Sequence, residues 1–102
     1  MAMLHTVCKS PFERDAMKSC LAHVVSGSSV LLIEDGVVGA VDNTAVSDLV
    51  KGAMENVSLF VLGEDLKARG ISEDKLIDGI TVVDYSGFVD LATKNDNVQS
   101  WV

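Results

Sequence analysis

Basic residues are scarce: Lys and Arg number 8 against 15 Asp and Glu, for a net charge of −7. They stand singly along the chain, so no cluster exists from which a phosphate-tracking surface could be built, and direct nucleic-acid binding is not expected. Long apolar runs are also missing. Residues 30–33 and their neighbours fall far short of the ~20 residues that a membrane span needs. Residues 1–14 hold no basic segment followed by an apolar stretch of signal-peptide length, which points to the cytoplasm. Only two cysteines are present, and in a reducing compartment they are expected as free thiols and not as a bridge. No G-x-G-x-x-G, Walker or G-x-S-x-G pattern occurs, and the loops after the second and third apolar runs open with acidic pairs. Nucleotide binding and serine-hydrolase chemistry are therefore disfavoured, and no cofactor is expected.

What is present suits one domain covering residues 1–102, long enough to bury a core without disulfides. Mean hydropathy is +0.31, high for so small a chain, and part of that apolar surplus is expected on a subunit interface. Residues 3–8 read as a strand. Ser10 then reads as an N-cap, Pro11 as the first helical residue and Glu13 as the capping-box partner. Phe12, Ala16, Met17, Cys20, Leu21 and Val24 follow at helical spacing, and Gly27 ends the element. "SSVLLIED" (28–35) suits a strand buried on both faces. A short helical turn is expected over 37–41, and a helix from a cap at Asn43 or Thr44 through Val46, Leu49, Val50 and Ala53. "VSLFVLG" (57–63) is the next buried strand. "EDLKARG" (64–70) is a brief helix with Asp65 and Arg69 placed to pair.

"GITVVDY" (79–85) makes a fourth strand. The last helix has Asp84 or Ser86 as its cap and Tyr85, Phe88, Val89 and Ala92 on one face. "NVQSWV" (97–102) is left as an edge strand or an arm, with Trp101 an unusual residue to find at a terminus. Strand and helix alternating in this way predict a small three-layer α/β/α domain, flavodoxin-like, with a mostly parallel sheet. Its chemistry should then collect beyond the carboxyl ends of the strands, at Cys8 with Lys9, Glu34 with Asp35, Glu64 with Asp65, and Asp84 with Tyr85.

Two sulfur-centred readings compete there. His5, Cys8, Cys20 and His23 have the type and number of zinc ligands, but His5 and Cys8 fall on opposite strand faces and Cys20 lies some ~15 Å along the helix, so no metal site is expected. A receiver-type phosphoryl site fails for lack of acids after the first strand. Cys8, beside Lys9 and ahead of a helix, is the better nucleophile on local electrostatics. Cys20, inside an apolar stripe, reads as a small core residue.

"LHTVCKSPFE" (4–13), "LLIEDGVVGAV" (31–41), "VLGEDLKARGI" (61–71), "VVDYSGFVDLATK" (82–94) and "QSW" (99–101) together resemble the DsrH/TusB family of sulfur-relay proteins, over essentially the whole chain. The resemblance implies a subunit of a heterohexameric sulfurtransferase complex, a dimer of heterotrimers with DsrE/TusD-like and DsrF/TusC-like partners. Such a complex passes persulfide sulfur to a DsrC/TusE-type acceptor protein, in cytoplasmic sulfur oxidation or, in the Tus branch, toward 2-thiouridine in transfer RNA. The principal sulfur-carrying cysteine belongs to the DsrE/TusD partner, so this chain would not be catalytic alone. The run F-E-R-x-x-x-x-S-C-L, as in DsrH-type members, places a candidate persulfide carrier on Cys20, whereas Cys8 falls where relatives vary. His5, Ser10, Asp35, Gly36 and Arg69 match shared polar positions and are assigned to structure or assembly.

Overall fold

The structure, a computed structural model, describes residues 3–13, 15–95 and 97–101. Arg14 of the first-helix motif and Val102 of the terminal segment lie outside them. Among the described residues the elements run β1 (Met3–Val7), α1 (Ala16–His23), β2 (Ser29–Leu32), a 3₁₀ segment (Glu34–Ala40), α2 (Ser47–Ala53), β3 (Ser58–Leu62), α3 (Gly63–Ala68), a 3₁₀ turn (Glu73–Lys75), β4 (Thr81–Val83), α4 (Tyr85–Lys94) and β5 (Asn97–Trp101). The strands form one sheet in the order β4-β3-β2-β1-β5, and every neighbouring pair is parallel.

The apolar runs fall at the centre, where both faces are covered. Leu4, Val7, Val30, Leu31, Leu32 and Val61 are all essentially inaccessible, as a parallel sheet under crossover helices requires. One face carries Val7, Val30, Leu32, Leu59 and Val61 against Met17, Cys20, Val37, Ala40, Val50 and Leu66, so α1, the 3₁₀ segment, α2 and α3 lie on that side. From β1 to β4 the chain steps one way across the sheet, whereas β4 to β5 crosses back to the far edge. With right-handed crossovers, that return carries α4 over the opposite face and completes the α/β/α layering. α4 turns Phe88, Leu91 and Ala92 inward, half-buried, and leaves Tyr85 and Val89 exposed. Of the apolar face expected on this helix, only Phe88 and Ala92 therefore face the sheet. Asp84 is its N-cap, accepting from the Gly87 N–H at 2.8 Å.

Two starts differ from the sequence reading. The first helix begins at Ala16 and not at Ser10: the Ser10 Oγ accepts from the Phe12 N–H at 3.2 Å, and the Ser10 carbonyl from the Glu13 N–H, closing a separate turn that leaves Phe12 exposed. The second begins at Ser47, because Asn43 sits in the left-handed region at φ 62° and the Ser47 hydroxyl ties the preceding loop, accepting from the Thr44 N–H at 2.9 Å and donating to the Val41 carbonyl at 3.3 Å. The terminal segment is an edge strand, paired from Asn97 to Trp101 with β1.

Candidate functional site

Cys8 follows β1 directly, at the carboxyl end of the strand, and is half-buried. Its Sγ–H donates to the Trp101 carbonyl at 3.7 Å, so the end of β5 partners the thiol. Cys20 lies in the middle of α1, on the face that meets the sheet, with 0 % of its surface accessible. Burial pushes its thiol up to about 12, so near neutral pH the sulfur is an un-ionised thiol packed among apolar side chains. The two sulfurs thus occupy opposite situations: one at a strand end within reach of solvent, the other sealed under a helix.

The four residues of zinc-ligand type, His5, Cys8, Cys20 and His23, are engaged in other ways. Trp101 Nε1–H donates to His5 Nδ1 at 3.0 Å, and His23 Nδ1–H donates to the Ser19 carbonyl at 2.7 Å. Among the described residues no three of His, Cys, Asp and Glu converge on a point where a metal could sit. The indole ring contacts both imidazoles, its centroid 6.2 Å from that of His5 and stacked at 6.3 Å on His23. The opening L-H-T and the closing Q-S-W, read separately in the sequence, form one contact in space.

A second constellation organises the carboxyl ends of β2 and β3. Arg69 donates through Nε and Nη2 to one oxygen of Asp35, at 3.0 and 2.8 Å, and through Nη1 to the Asp65 carbonyl. Asp65 in turn accepts from the Glu34 N–H at 2.7 Å, which holds Glu34 at φ 50°. Gly36 is seated against the Val7 carbonyl, where any Cβ would collide. The expected i, i+4 pair of Asp65 and Arg69 forms at 3.7 Å, but Arg69 makes its shorter contacts with Asp35, thirty-four residues away. His5, Ser10, Asp35, Gly36 and Arg69 each hold backbone or side chains of this chain in place.

Beyond β4 lies a cavity of about 590 Å³, lined by Gly63, Glu64, Lys67, Glu73, Val82, Val83, Asp84 and Gly87. Glu64 Oε2 accepts from the Tyr85 N–H at 3.3 Å, while its buried Oε1 has no partner. The sequence marked Glu64 and Asp84 as strand-end residues, but not the space between them. Their shared cavity depends on the Glu73–Lys75 turn, which periodicity could not reveal.

Fold and site together define a class: a small all-parallel α/β domain whose strand ends carry one thiol, Cys8, and acidic side chains. The family model for DsrH-like proteins matches residues 9–98. The chain is 38 % identical over 99 residues to Protein TusB of Erwinia tasmaniensis, covering 97 % of this chain and all of the relative. It is 33 % identical to Protein TusB of Escherichia coli K12 over the same span. In fold it is similar to the YchN protein of E. coli, with a TM-score of 0.80 at 16 % identity covering 99 % of this chain and 100 % of that one. A Methanobacterium thermoautotrophicum protein of unknown function aligns with a TM-score of 0.72 at 17 % identity over 96 % and 97 % of the two chains. The chain belongs to the DsrH/TusB family, and it is a sulfur-relay subunit of a hetero-oligomeric complex. Among the described residues no helix is long and apolar enough to cross a membrane.

Proposed function

We propose that this chain is the assembly-completing subunit of a cytoplasmic, DsrEFH/TusBCD-like heterohexamer. In this reading a DsrE/TusD-like partner carries the persulfide, a DsrF/TusC-like subunit completes the heterotrimer, and a DsrC/TusE-type protein accepts the sulfur. The observation that carries the reading is the state of Cys20. Persulfide transfer needs a thiolate that can approach a donor sulfur in line, and Cys20 is neither ionised nor accessible. Its place in the chain's work is packing: it fills the seam between α1 and the sheet. For Cys20 to carry sulfur itself, α1 would have to lift from the sheet in the assembly.

Branch follows from the acceptor. The cysteine-bearing run on the first helix favours the sulfur-oxidation branch, with a DsrC-type acceptor. The 38 % identity to a TusB protein favours transfer-RNA thiolation through a TusE-type acceptor. The experiment is to co-express the chain with its two partners, load the complex with a persulfide donor and map sulfur by mass spectrometry. A one-sulfur increment on the partner's cysteine and none on Cys20 is expected. An increment on Cys20 would make this chain a carrier and overturn the packing role. Offering DsrC-type and TusE-type acceptors separately to the loaded complex then assigns the branch.

A further inference from the structure

β5 closes one edge of the sheet, beside Cys8. Four of its five residues are exposed, and it docks on one neighbour, β1. Its contacts beyond the backbone ladder include the Thr6 Oγ1 to Ser100 Oγ bond at 3.2 Å, the Cys8 contact, and the Trp101 ring against His5 and His23. Elements held at one edge open more readily than the strands they cover.

The ring's hydrogen bond has a fixed polarity. An indole N–H only donates, so His5 Nδ1 must offer a lone pair, and the His5 ring is neutral with its proton on Nε2. A second proton would have to occupy Nδ1, setting two N–H groups against each other. We propose that β5 is a proton-sensitive latch: neutral His5 holds Trp101, and with it the last strand, whereas protonation at His5 Nδ1 releases that strand from β1 and strips Cys8 of its partner.

The surroundings of His5 leave it the titrating member. Its cross-strand partners, Val30 of β2 and Gln99 of β5, do not titrate, and β5 carries no titratable side chain between Asn97 and Trp101. From α1 the titratable groups are Cys20, un-ionised, and His23. The latter is fixed by its Nδ1–H bond to the Ser19 carbonyl and meets the Trp101 ring by stacking. Lys18 on α1 is exposed, and the Glu34–Ala40 segment turns both its acids to solvent. Burial also holds His5 below its ordinary value, in agreement with a docked state that excludes the proton. The sign follows: docking is full above the ordinary histidine value of about 6.5 and weakens as pH falls below it, by up to about tenfold for each unit.

The test is residue-resolved amide hydrogen exchange on the full chain between pH 5.5 and 7.5, corrected for intrinsic rates. Protection of the β5 amides relative to those of β2 should fall about tenfold at the acid end. Fluorescence of Trp101, the chain's one tryptophan, should shift to the red in step. His5→Gln keeps an acceptor that does not titrate, and should flatten the ratio; His23→Gln should leave the fall in place. A wild-type ratio constant across the range overturns the latch, as does a His5→Gln protein that keeps the fall or a His23→Gln protein that loses it. Nitrogen NMR needs no variant: an unprotonated His5 Nδ1 at neutral pH supports the latch, and an Nδ1–H signal there overturns it.

Discussion

Cys20 illustrates how one residue can serve a family pattern and a core at once. Its thiol fills the seam under α1, and loss of that volume in Cys20→Ala should cost about 1 kcal/mol, read as a lower urea midpoint. Ionisation gives a sharper reading. With the folded-state value raised from 9.0 to about 12, the folded chain keeps its thiol proton where the unfolded chain has lost it. The stability tied to that proton is therefore complete below pH 9 and is lost as pH rises from there toward 12, at about 1.4 kcal/mol per unit. Urea midpoints measured from pH 8 to 10 should fall in the wild type and fall less in Cys20→Ala. Equal slopes would mean that Cys20 ionises freely in the folded chain. Alkylation separates the two thiols in the same way: Cys8 should react in the native protein, and Cys20 only once denaturant is added.

At the scale of elements, the loop after β2 is the tightest piece of construction near the strand ends. Gly36 touches the Val7 carbonyl, so Gly36→Ala must push the Glu34–Ala40 segment off β1; a loss of about 1–3 kcal/mol is expected by thermal or urea unfolding. Arg69→Ala should cost less, within about 1 kcal/mol, because the Arg69–Asp35 pair is largely exposed. Its clearer signature is faster amide exchange at Glu34, whose donor contact to Asp65 depends on the clamp that Arg69 completes. Legibility in the sequence divides along this line between local and distant causes. Central strands such as residues 30–32 could be read from their apolar composition, and the Asp84 cap from local chemistry. Ser10, Pro11 and Glu13 mimic a helix start, yet Ser10 closes its own turn and Ala16 is the first helical residue. The Arg69–Asp35 clamp and the His5–Trp101 contact span 34 and 96 residues, and no periodicity encodes such partners. The burial of Cys20 was visible in its stripe, and resemblance added the reason to ask whether that burial matters.

On the scale of the whole molecule, the dominant electrostatic fact is the imbalance of 15 acids over 8 bases on a body of 33 × 27 × 23 Å. At 0.01 M ionic strength the Debye length, about 30 Å, matches those dimensions, so almost every surplus carboxylate repels every other. At 0.1 M it contracts to about 10 Å and only near neighbours remain in range. Unfolding spreads the charges apart and relieves the repulsion, so added salt should favour the folded state. Salt also weakens the exposed pairs Lys51–Asp42 and Arg69–Asp35, but each such pair is worth at most about 1 kcal/mol. With seven uncompensated negative charges, relief of repulsion should win. The urea midpoint of the isolated chain is therefore expected to rise as NaCl goes from 10 to 150 mM. A fall over that range would mean that the ion pairs at the strand ends outweigh the surplus charge, placing the Arg69 clamp among the main supports of the fold.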